Sequence, residues 1–403
     1  MFRHPDLTTR AFCFNPQNWK ALNILVAPDK FRGSLEADEV CNAIRAGILL
    51  AYPDANVTTV PLADGGEGTA QILTKQAGGT RIEVKVSDPL EREVTASYGL
   101  SADSEVAFIE MAAASGLKLL SENERNPLLT TTFGTGELIL DALNRGVKKI
   151  ILGIGGSATT DGGIGLAAAL GFRFFDKNNK MLGVNGGNLS LIDRIETANA
   201  DPRLSAVSIV VACDVSNPLF GTNGAAYVYG PQKGATAEMV EVLDNGLRNV
   251  ADVASKTFGR DYSEVPGAGA AGGLGAGCMW FLNAELRDGV SIVIDQSNIV
   301  ELIKQADLVI TGEGKIDEQT LSGKVVKGLA DFCQQYQVPL AAVCGTLQIT
   351  PEQTRDAGIT YAVSVLDRPM NLDVAQNEAF RLVRDATFQL VRLFFANTRS
   401  DFS

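Results

Sequence analysis

The chain has 403 residues, 45 % hydrophobic and 20 % charged, with 35 Lys and Arg against 47 Asp and Glu for a formal net charge of −12. At roughly 150 residues per domain this length is a prior for two or three domains, able to bury full cores without disulfide or metal staples. The composition excludes a disordered chain, and the acidic balance argues against a nucleic-acid or anionic-membrane surface, which needs clustered cations.

Residues 1–21 lack the apolar stretch and small-residue cleavage site of a signal peptide and read as a poorly ordered extension. Asn23 to Ala27 (NILVA) is a short strand ending at Pro28-Asp29. After a Gly33-Ser34 turn, Leu35, Val40, Ile44 and Ile48 recur at helical spacing, with Ser34 as the expected N-cap. Asn56 to Leu62 reads as a second strand running into Ala63-Asp64-Gly65-Gly66-Glu67-Gly68, which opens another helix. Lys148 to Ile154 is a buried-strand run, followed by the loop Gly155 to Gly163 and an Ala-rich helix through Leu170. Ala306 to Ile310 leads into a third glycine loop, Thr311 to Asp317. Val338 to Val343 and Tyr361 to Val365 read as further strands, and Val374 to Phe395 as the last helix. This alternation is the rhythm of an α/β protein with a parallel sheet. No run approaches the roughly 18 to 20 apolar residues of a membrane span, so a cytoplasmic protein is expected.

Two absences narrow the chemistry. The single histidine, His4, lies in the N-terminal extension. A Ser-His-Asp hydrolase, a histidine proton shuttle and a His-rich zinc site are thereby nearly excluded, leaving acid–base work to carboxylates or lysines. The six cysteines (Cys13, Cys41, Cys213, Cys278, Cys333, Cys344) form no C-x-x-C pair and read as buried thiols in a reducing compartment.

Three strand ends carry glycines together with Asp or Glu. Glycine lets backbone N–H groups approach an anion, and a following helix N-terminus adds positive potential. Carboxylates there would repel a bare phosphate but suit Mg²⁺ or a hydroxyl proton, so the pattern points to Mg-nucleotide chemistry. No Walker-A motif occurs, and the spacing Gly267, Gly269, Gly272 follows no predicted strand. Gly153-x-Gly155-x-x-Ala158 does follow one, with Asp176 roughly where a ribose-binding acid would sit, and supports an alternative NAD-dependent oxidoreductase. A third reading is a non-catalytic binding protein of the same fold. Lys30, Arg32, Lys315 and Lys324 supply local cations near the strand ends, whereas Lys233 sits in the turn Tyr229 to Gly234.

Ala27-Pro28-Asp29-Lys30-Phe31-Arg32-Gly33-Ser34-Leu35, Ala63 to Gly68, Gly153 to Gly163, Ala212 to Val215 with Asn217-Pro218-Leu219, Gly230 to Gly234, Pro266 to Gly275, and Thr311 to Asp317 with Gln319, Thr320, Leu321, Gly323 and Lys324 together resemble the bacterial (type I) glycerate kinase family. The resemblance covers nearly everything from Leu22 to about Phe395, and only the N-terminal extension departs from it. It implies an ATP- and Mg²⁺-dependent kinase acting on D-glycerate to give 2-phosphoglycerate, with the 3-phosphate as the alternative product. It implies a two-domain protein: a flavodoxin-like parallel-sheet domain from residues 22–70 and 290–397, and an inserted restriction-endonuclease-like α/β domain, 71–289. The partner is a small-molecule substrate, with no nucleic acid or membrane, and the chain is expected as a monomer or homodimer. Within that resemblance, Asp161, Asp317 and Asp64 are read as catalytic candidates. Asp29, Lys30, Arg32, Ser34, Glu67, Lys315 and Lys324 are read as substrate-binding. Gly155, Gly156, Ser157, Asn217 and Lys233 are assigned to the nucleotide, and Asp214 and Glu313 to the metal. Which carboxylate takes the hydroxyl proton stays open.

Overall fold

A computed structural model describes residues 22–63, 66, 68–318, 320–322 and 325–396. Residues 1–21, Asp64, Glu67 and Lys324 lie outside this set. The described strands begin with β1 (Asn23–Val26), β2 (Asn56–Thr59), β3 (Thr80–Ser87), β4 (Glu93–Leu100), β5 (Val106–Glu110), β6 (Lys149–Gly153) and β7 (Arg173–Phe175). They continue with β8 (Arg194–Glu196), β9 (Ser208–Ala212), β10 (Glu285–Arg287), β11 (Leu308–Ile316), β12 (Leu340–Leu347) and β13 (Tyr361–Ser364).

Two larger sheets result. A five-stranded sheet has the order β13-β12-β11-β1-β2 with every pairing parallel, and so takes its strands from both ends of the chain. A six-stranded sheet has the order β10-β9-β6-β5-β4-β3, parallel from β10 to β5 and antiparallel through β4 and β3.

Alternation along each strand sorts the core into layers, because successive side chains point to opposite faces. Ile24 and Val26 of β1 and Leu308 and Ile310 of β11 face the helices Ala37–Ala51 and Ala379–Ala396, meeting Ile44, Ile48, Leu382 and Val391. Leu25 and Val309 face the other way, into a middle layer with Leu73, Val290, Val293 and Leu329, which Phe108, Ile151 and Val210 of the second sheet enter from beyond. The opposite face of the six-stranded sheet, through Ile109, Ile150, Leu152 and Val211, is covered by the helices Phe133–Asn144, Ile164–Ala169, Ala237–Phe258 and Ala270–Leu282. Strands covered on both faces read as continuous apolar runs, which is why KIILG stands out in the sequence. No helix among the described residues is long and apolar enough to cross a membrane. The five described cysteines are free thiols, and burial pushes Cys41, Cys333 and Cys344 up to about 12.

Four local expectations change. Ser34 is not the N-cap: the Ala37–Ala51 helix is capped at Glu36, whose N–H donates to Glu39 Oε2 at 2.9 Å. Gly33, at φ +79°, closes a tight Phe31–Leu35 turn before the helix starts, and Ser34 Oγ donates there to the Phe31 carbonyl at 3.0 Å. The third glycine segment is strand, not loop, because Gly312, Glu313 and Lys315 sit in register with Val343, Cys344 and Thr346. The last helix is two, Leu372–Asn377 and Ala379–Ala396, separated at Glu378. Finally, the strand before Asp176 pairs with β8 in a separate antiparallel ribbon, with a further bridge from Phe175 to Met181. Asp176 Oδ1 accepts the Asn178 and Lys180 N–H groups at 2.9 and 2.8 Å, holding its own turn. Asp176 thus has a structural role in its own turn, and the oxidoreductase reading loses the observation that supported it.

Candidate active site

The glycine-rich segments meet along one seam at the carboxyl ends of the strands. Beyond β1 the chain stays paired with β11, the Ala27 N–H donating to Ile310 O and the Asp29 N–H to Gly312 O, both at 2.8 Å. A Cβ added to Gly314 would lie 3.3 Å from the Arg32 backbone nitrogen, so the first and third segments touch. Asp29 is buried and its Oδ1 accepts the Lys30 N–H at 2.6 Å; Lys30 is half-buried and Arg32 exposed. Lys315 and Asp317 form an ion pair at 2.8 Å, and Asp317 Oδ1 accepts the Thr320 N–H at 3.2 Å. Glu313 is buried on β11 beside Cys344.

The seam continues into the second sheet. The Leu62 N–H donates to Pro28 O at 2.9 Å, placing the entrance of the acidic loop beside the first segment. At its exit, the Gly68 and Ala70 N–H groups donate to Glu110 Oε1 at 2.9 and 3.0 Å. Glu110 ends β5 in register with Gly153, the last residue of β6, and Gly153 is in register with Ala212, the last of β9. Two residues on, Asp214 is exposed and its Oδ1 accepts the Gly289 N–H at 2.8 Å. Glu110 was missed from sequence: an acid closing VAFIE belongs to no motif.

The loop after β6 has an open half and a buried half. Gly155 and Gly156 are exposed, a Cβ on Gly155 would meet nothing within 4 Å, and Ser157 pairs across an antiparallel bridge with Gly116. Then the chain dives inward, and Thr159, Thr160 and Asp161 are each 0 % exposed. Asp161 Oδ2 accepts the Thr132 N–H and hydroxyl at 2.7 and 2.8 Å and the Gly165 N–H at 3.3 Å, while Oδ1 accepts the Gly163 N–H at 3.1 Å. The carboxylate thus occupies the N-terminus of the Ile164–Ala169 helix, a position that sequence reasoning reserved for a phosphate. Against the same half lies a left-handed turn, Ala271 to Gly273, whose Gly272 O accepts the Gly162 N–H at 3.1 Å. Gly272 has φ +73° and a Cβ there would stand 2.1 Å from Thr159 O, so only glycine permits this approach. This is the role of the Pro266 to Gly277 stretch.

Lys233 is likewise enclosed, 1 % exposed, with its Nζ donating to Thr159 O at 2.5 Å. Asn217 is tied locally, accepting from the Tyr229 hydroxyl at 2.7 Å and donating to Asn223 O at 2.8 Å. The structure therefore brings Asp29, Lys30, Arg32, Ser34, Glu313, Lys315 and Asp317 together at one sheet end. It sets Gly155, Gly156, Ser157 and Asp214 at the ends of β6 and β9, and seals Asp161 and Lys233 behind the loop.

Comparison with known proteins gives this arrangement its chemistry. The model of the glycerate kinase family matches residues 24–395. The chain is 48 % identical over 363 residues to a glycerate kinase of Halalkalibacterium halodurans, covering 90 % of this chain and 96 % of that one. It is 47 % identical over 360 residues to the glycerate 2-kinase of Escherichia coli K12, covering 89 % and 93 %. The chain belongs to the glycerate kinase family. A crystal structure described as that of a glycerate kinase 2 from Salmonella typhimurium LT2 superposes with a TM-score of 0.86 at 43 % identity, over 94 % of this chain and all of that one. Membership in this family makes the chain a phosphotransferase.

The donor set of this family member suits a nucleotide and its magnesium. Among the described residues no three His, Cys, Asp or Glu side chains cluster to form a cage. Mg²⁺ needs none, because it binds through one or two carboxylates plus the phosphates of the nucleotide. The backbone at Gly155 is open, a Cβ there meeting nothing within 4 Å, as close phosphate approach requires, whereas a Cβ on Gly156 would lie 3.3 Å from Ala112 Cβ.

The buried pair behind the loop has an electrostatic signature. Burial raises the Asp161 carboxyl above its ordinary range, opposed by the Thr132, Gly163 and Gly165 donors. Burial pulls Lys233 down to about 7, with the Asp161 charge pushing the other way. Below pH 7 the lysine is protonated in both folded and unfolded chains, and the cost of its buried charge is fully present. Between about 7 and the ordinary lysine value of 10.5 the folded protein sheds the proton first, so stability rises with pH through this window. Compared with Lys233→Met, the wild type should gain on the order of 1 kcal/mol per pH unit from pH 7 to 9 in urea titrations. Parallel stability curves for the two proteins would show that Lys233 does not titrate there.

Proposed function

We propose that this chain is an ATP- and Mg²⁺-dependent glycerate kinase that phosphorylates the 2-hydroxyl of D-glycerate to give 2-phosphoglycerate. The observation that carries this reading is the seam itself: in a glycerate kinase family chain, a cation-bearing loop and a half-buried carboxylate follow the paired strands β1 and β11, and an open glycine turn follows β6 of the second sheet. The 2-position is favoured because a relative at 47 % identity is called glycerate 2-kinase.

Lys30, Arg32 and Ser34 grip the glycerate carboxylate, with Asp29 holding the Lys30 backbone in place. Gly155, Gly156 and Ser157 receive the phosphates. Asp317 takes the proton of the attacking hydroxyl as its oxygen bonds the γ-phosphorus and the bond from that phosphorus to the bridging oxygen of ADP breaks. Lys315 and Lys324 neutralise charge on the transferring group, while Asp64 and Glu67 orient the substrate. Asp214 and Glu313 are the carboxylates assigned to Mg²⁺, which when bound neutralises phosphate charge. Asp161 and Lys233 act from behind the loop, shaping it without touching the reactants, and Asn217 frames its neighbourhood through Tyr229. The division into domains follows strand ownership, with two adjustments. Boundaries at residues 70 and 289 would cut the Thr69–Gln76 and Gly289–Gln296 helices, so we place each before its helix. Free thiols at the five described cysteines and an ATP substrate fit a cytoplasmic protein.

The decisive experiment measures ADP release with D-glycerate and MgATP, followed by phosphorus NMR of the product. A doublet from the 2-phosphate is expected; a 3-phosphate would correct the regiochemistry, and no turnover would remove the reading. Arg32→Ala should raise the KM for glycerate by about 10-fold or more while the KM for ATP moves little. An effect confined to ATP would reassign Arg32 to the nucleotide.

A further inference from the structure

We propose that Glu110 is a positioning residue for phosphoryl transfer: it reaches from the six-stranded sheet and fixes the exit of the acidic glycine loop. The inference rests on the glycerate kinase reading and adds a residue that it does not use. The Thr69–Gln76 helix is preceded by Gly68, at φ +97°, which has no side chain to cap the first N–H groups. Those groups need acceptors from elsewhere. Glu110 Oε1 supplies one, accepting from Gly68 at 2.9 Å and Ala70 at 3.0 Å across 42 and 40 residues of sequence. On the other flank, Gly66 O accepts the Thr69 hydroxyl at 2.6 Å. The residues on either side of Glu67 are thus both tied down.

The device occurs twice. Asp214, just past β9, accepts the N–H of Gly289 at the start of the Gly289–Gln296 helix at 2.8 Å. The Thr69–Gln76 and Gly289–Gln296 helices lie on the two stretches where the chain passes between the sheets, β2 to β3 and β10 to β11. A carboxylate at the end of a six-stranded-sheet strand therefore grips each crossing at its helix N-terminus, where the helix dipole favours negative charge. Glu110 is also in register with Gly153, so the same strand end sets both the acidic loop and the phosphate turn. Its position governs how glycerate and the γ-phosphoryl are aligned, and misplacement of about 1 Å can cost 10²-fold in rate.

The test uses the full chain with Glu110→Ala and Glu110→Gln, reading kcat, both KM values, melting temperature and amide exchange over residues 66–73. Glu110→Ala should lower kcat/KM for D-glycerate by about 10- to 100-fold, leave the KM for ATP within about threefold, and speed exchange at Gly68 and Ala70. Glu110→Gln keeps an oxygen that accepts both bonds and should restore kcat/KM to within about threefold of wild type. Full activity in Glu110→Ala with only a lower melting temperature would reduce the residue to a stability cap and overturn the proposal. A Gln variant as slow as Ala would overturn it too, by showing that the charge itself is used. Should Glu110→Ala fail to fold, Glu110→Asp, one methylene too short to reach, makes the same comparison. A wild type that does not phosphorylate glycerate would sink the functional reading alone, since exchange at Gly68 and Ala70 reads the clamp independently.

Discussion

Asp161→Ala is expected to cost about 3–5 kcal/mol of folding free energy, the range measured when one partner of a buried charged network is removed. Against a total stability of about 5–15 kcal/mol, that is enough to deplete the folded enzyme at ordinary assay temperatures. The carboxylate is 0 % exposed and accepts from Thr132, Gly163 and Gly165, so alanine strands these donors in a dry interior. It also removes the anion near Lys233, leaving that buried ammonium with a less favourable field. Asp161→Asn should lie between wild type and alanine, because one amide oxygen still accepts while the amide N–H₂ faces donors. Urea titrations give the stability, and rates measured at low temperature on the folded fraction give the chemistry. A variant with wild-type stability and turnover lowered by about 10² would return Asp161 to the reaction itself.

That expectation reverses what the sequence suggests for this residue, and the reason is distance along the chain. Strands β1, β6, β11 and β12 were legible because each is covered on both faces, which leaves uninterrupted apolar runs such as Ile150 to Leu152 and Val309 to Ile310. The first glycine turn was legible because Gly33 and Ser34 act on neighbours one to three residues away. An aspartate in a glycine loop, however, reads alike whether it faces solvent or faces Thr132, 29 residues upstream. Lys233 sits in a Gly-Pro turn whose sequence leaves its role open, and what encloses it includes Thr159, 74 residues away. Gly312 marks a strand, not a loop, because Val343 O would lie 2.4 Å from any Cβ it carried, a clash that composition does not reveal. Glu110 has no local signature, since its two N–H partners, Gly68 and Ala70, lie 42 and 40 residues upstream at the start of a helix. The adjacency of the first and third glycine segments, by contrast, follows from the paired parallel strands β1 and β11, whose carboxyl ends share one edge of a sheet.

Asp317→Asn should lower kcat by about 10² or more while the KM for glycerate stays within a few-fold of wild type. Of the carboxylates assigned to catalysis, Asp161 is sealed, whereas Asp317 stands half-buried at the end of β11, three residues beyond Gly314, which lies against the Arg32 backbone. The amide keeps an oxygen where Asp317 Oδ1 accepts the Thr320 N–H at 3.2 Å, so the local turn survives. What is lost structurally is an ion pair with Lys315 whose side chains are 53 % and 22 % exposed, and solvent screening limits its worth to about 1 kcal/mol or less. The melting temperature should therefore move little while turnover collapses, the reverse of the pattern expected at Asp161. Lys315→Ala separates the two functions of this corner: it removes the same ion pair but leaves the carboxylate, and should slow transfer by less than the Asn variant does. Turnover in Asp317→Asn above about a tenth of wild type would mean that another group accepts the hydroxyl proton, with Asp64 the next carboxylate to replace.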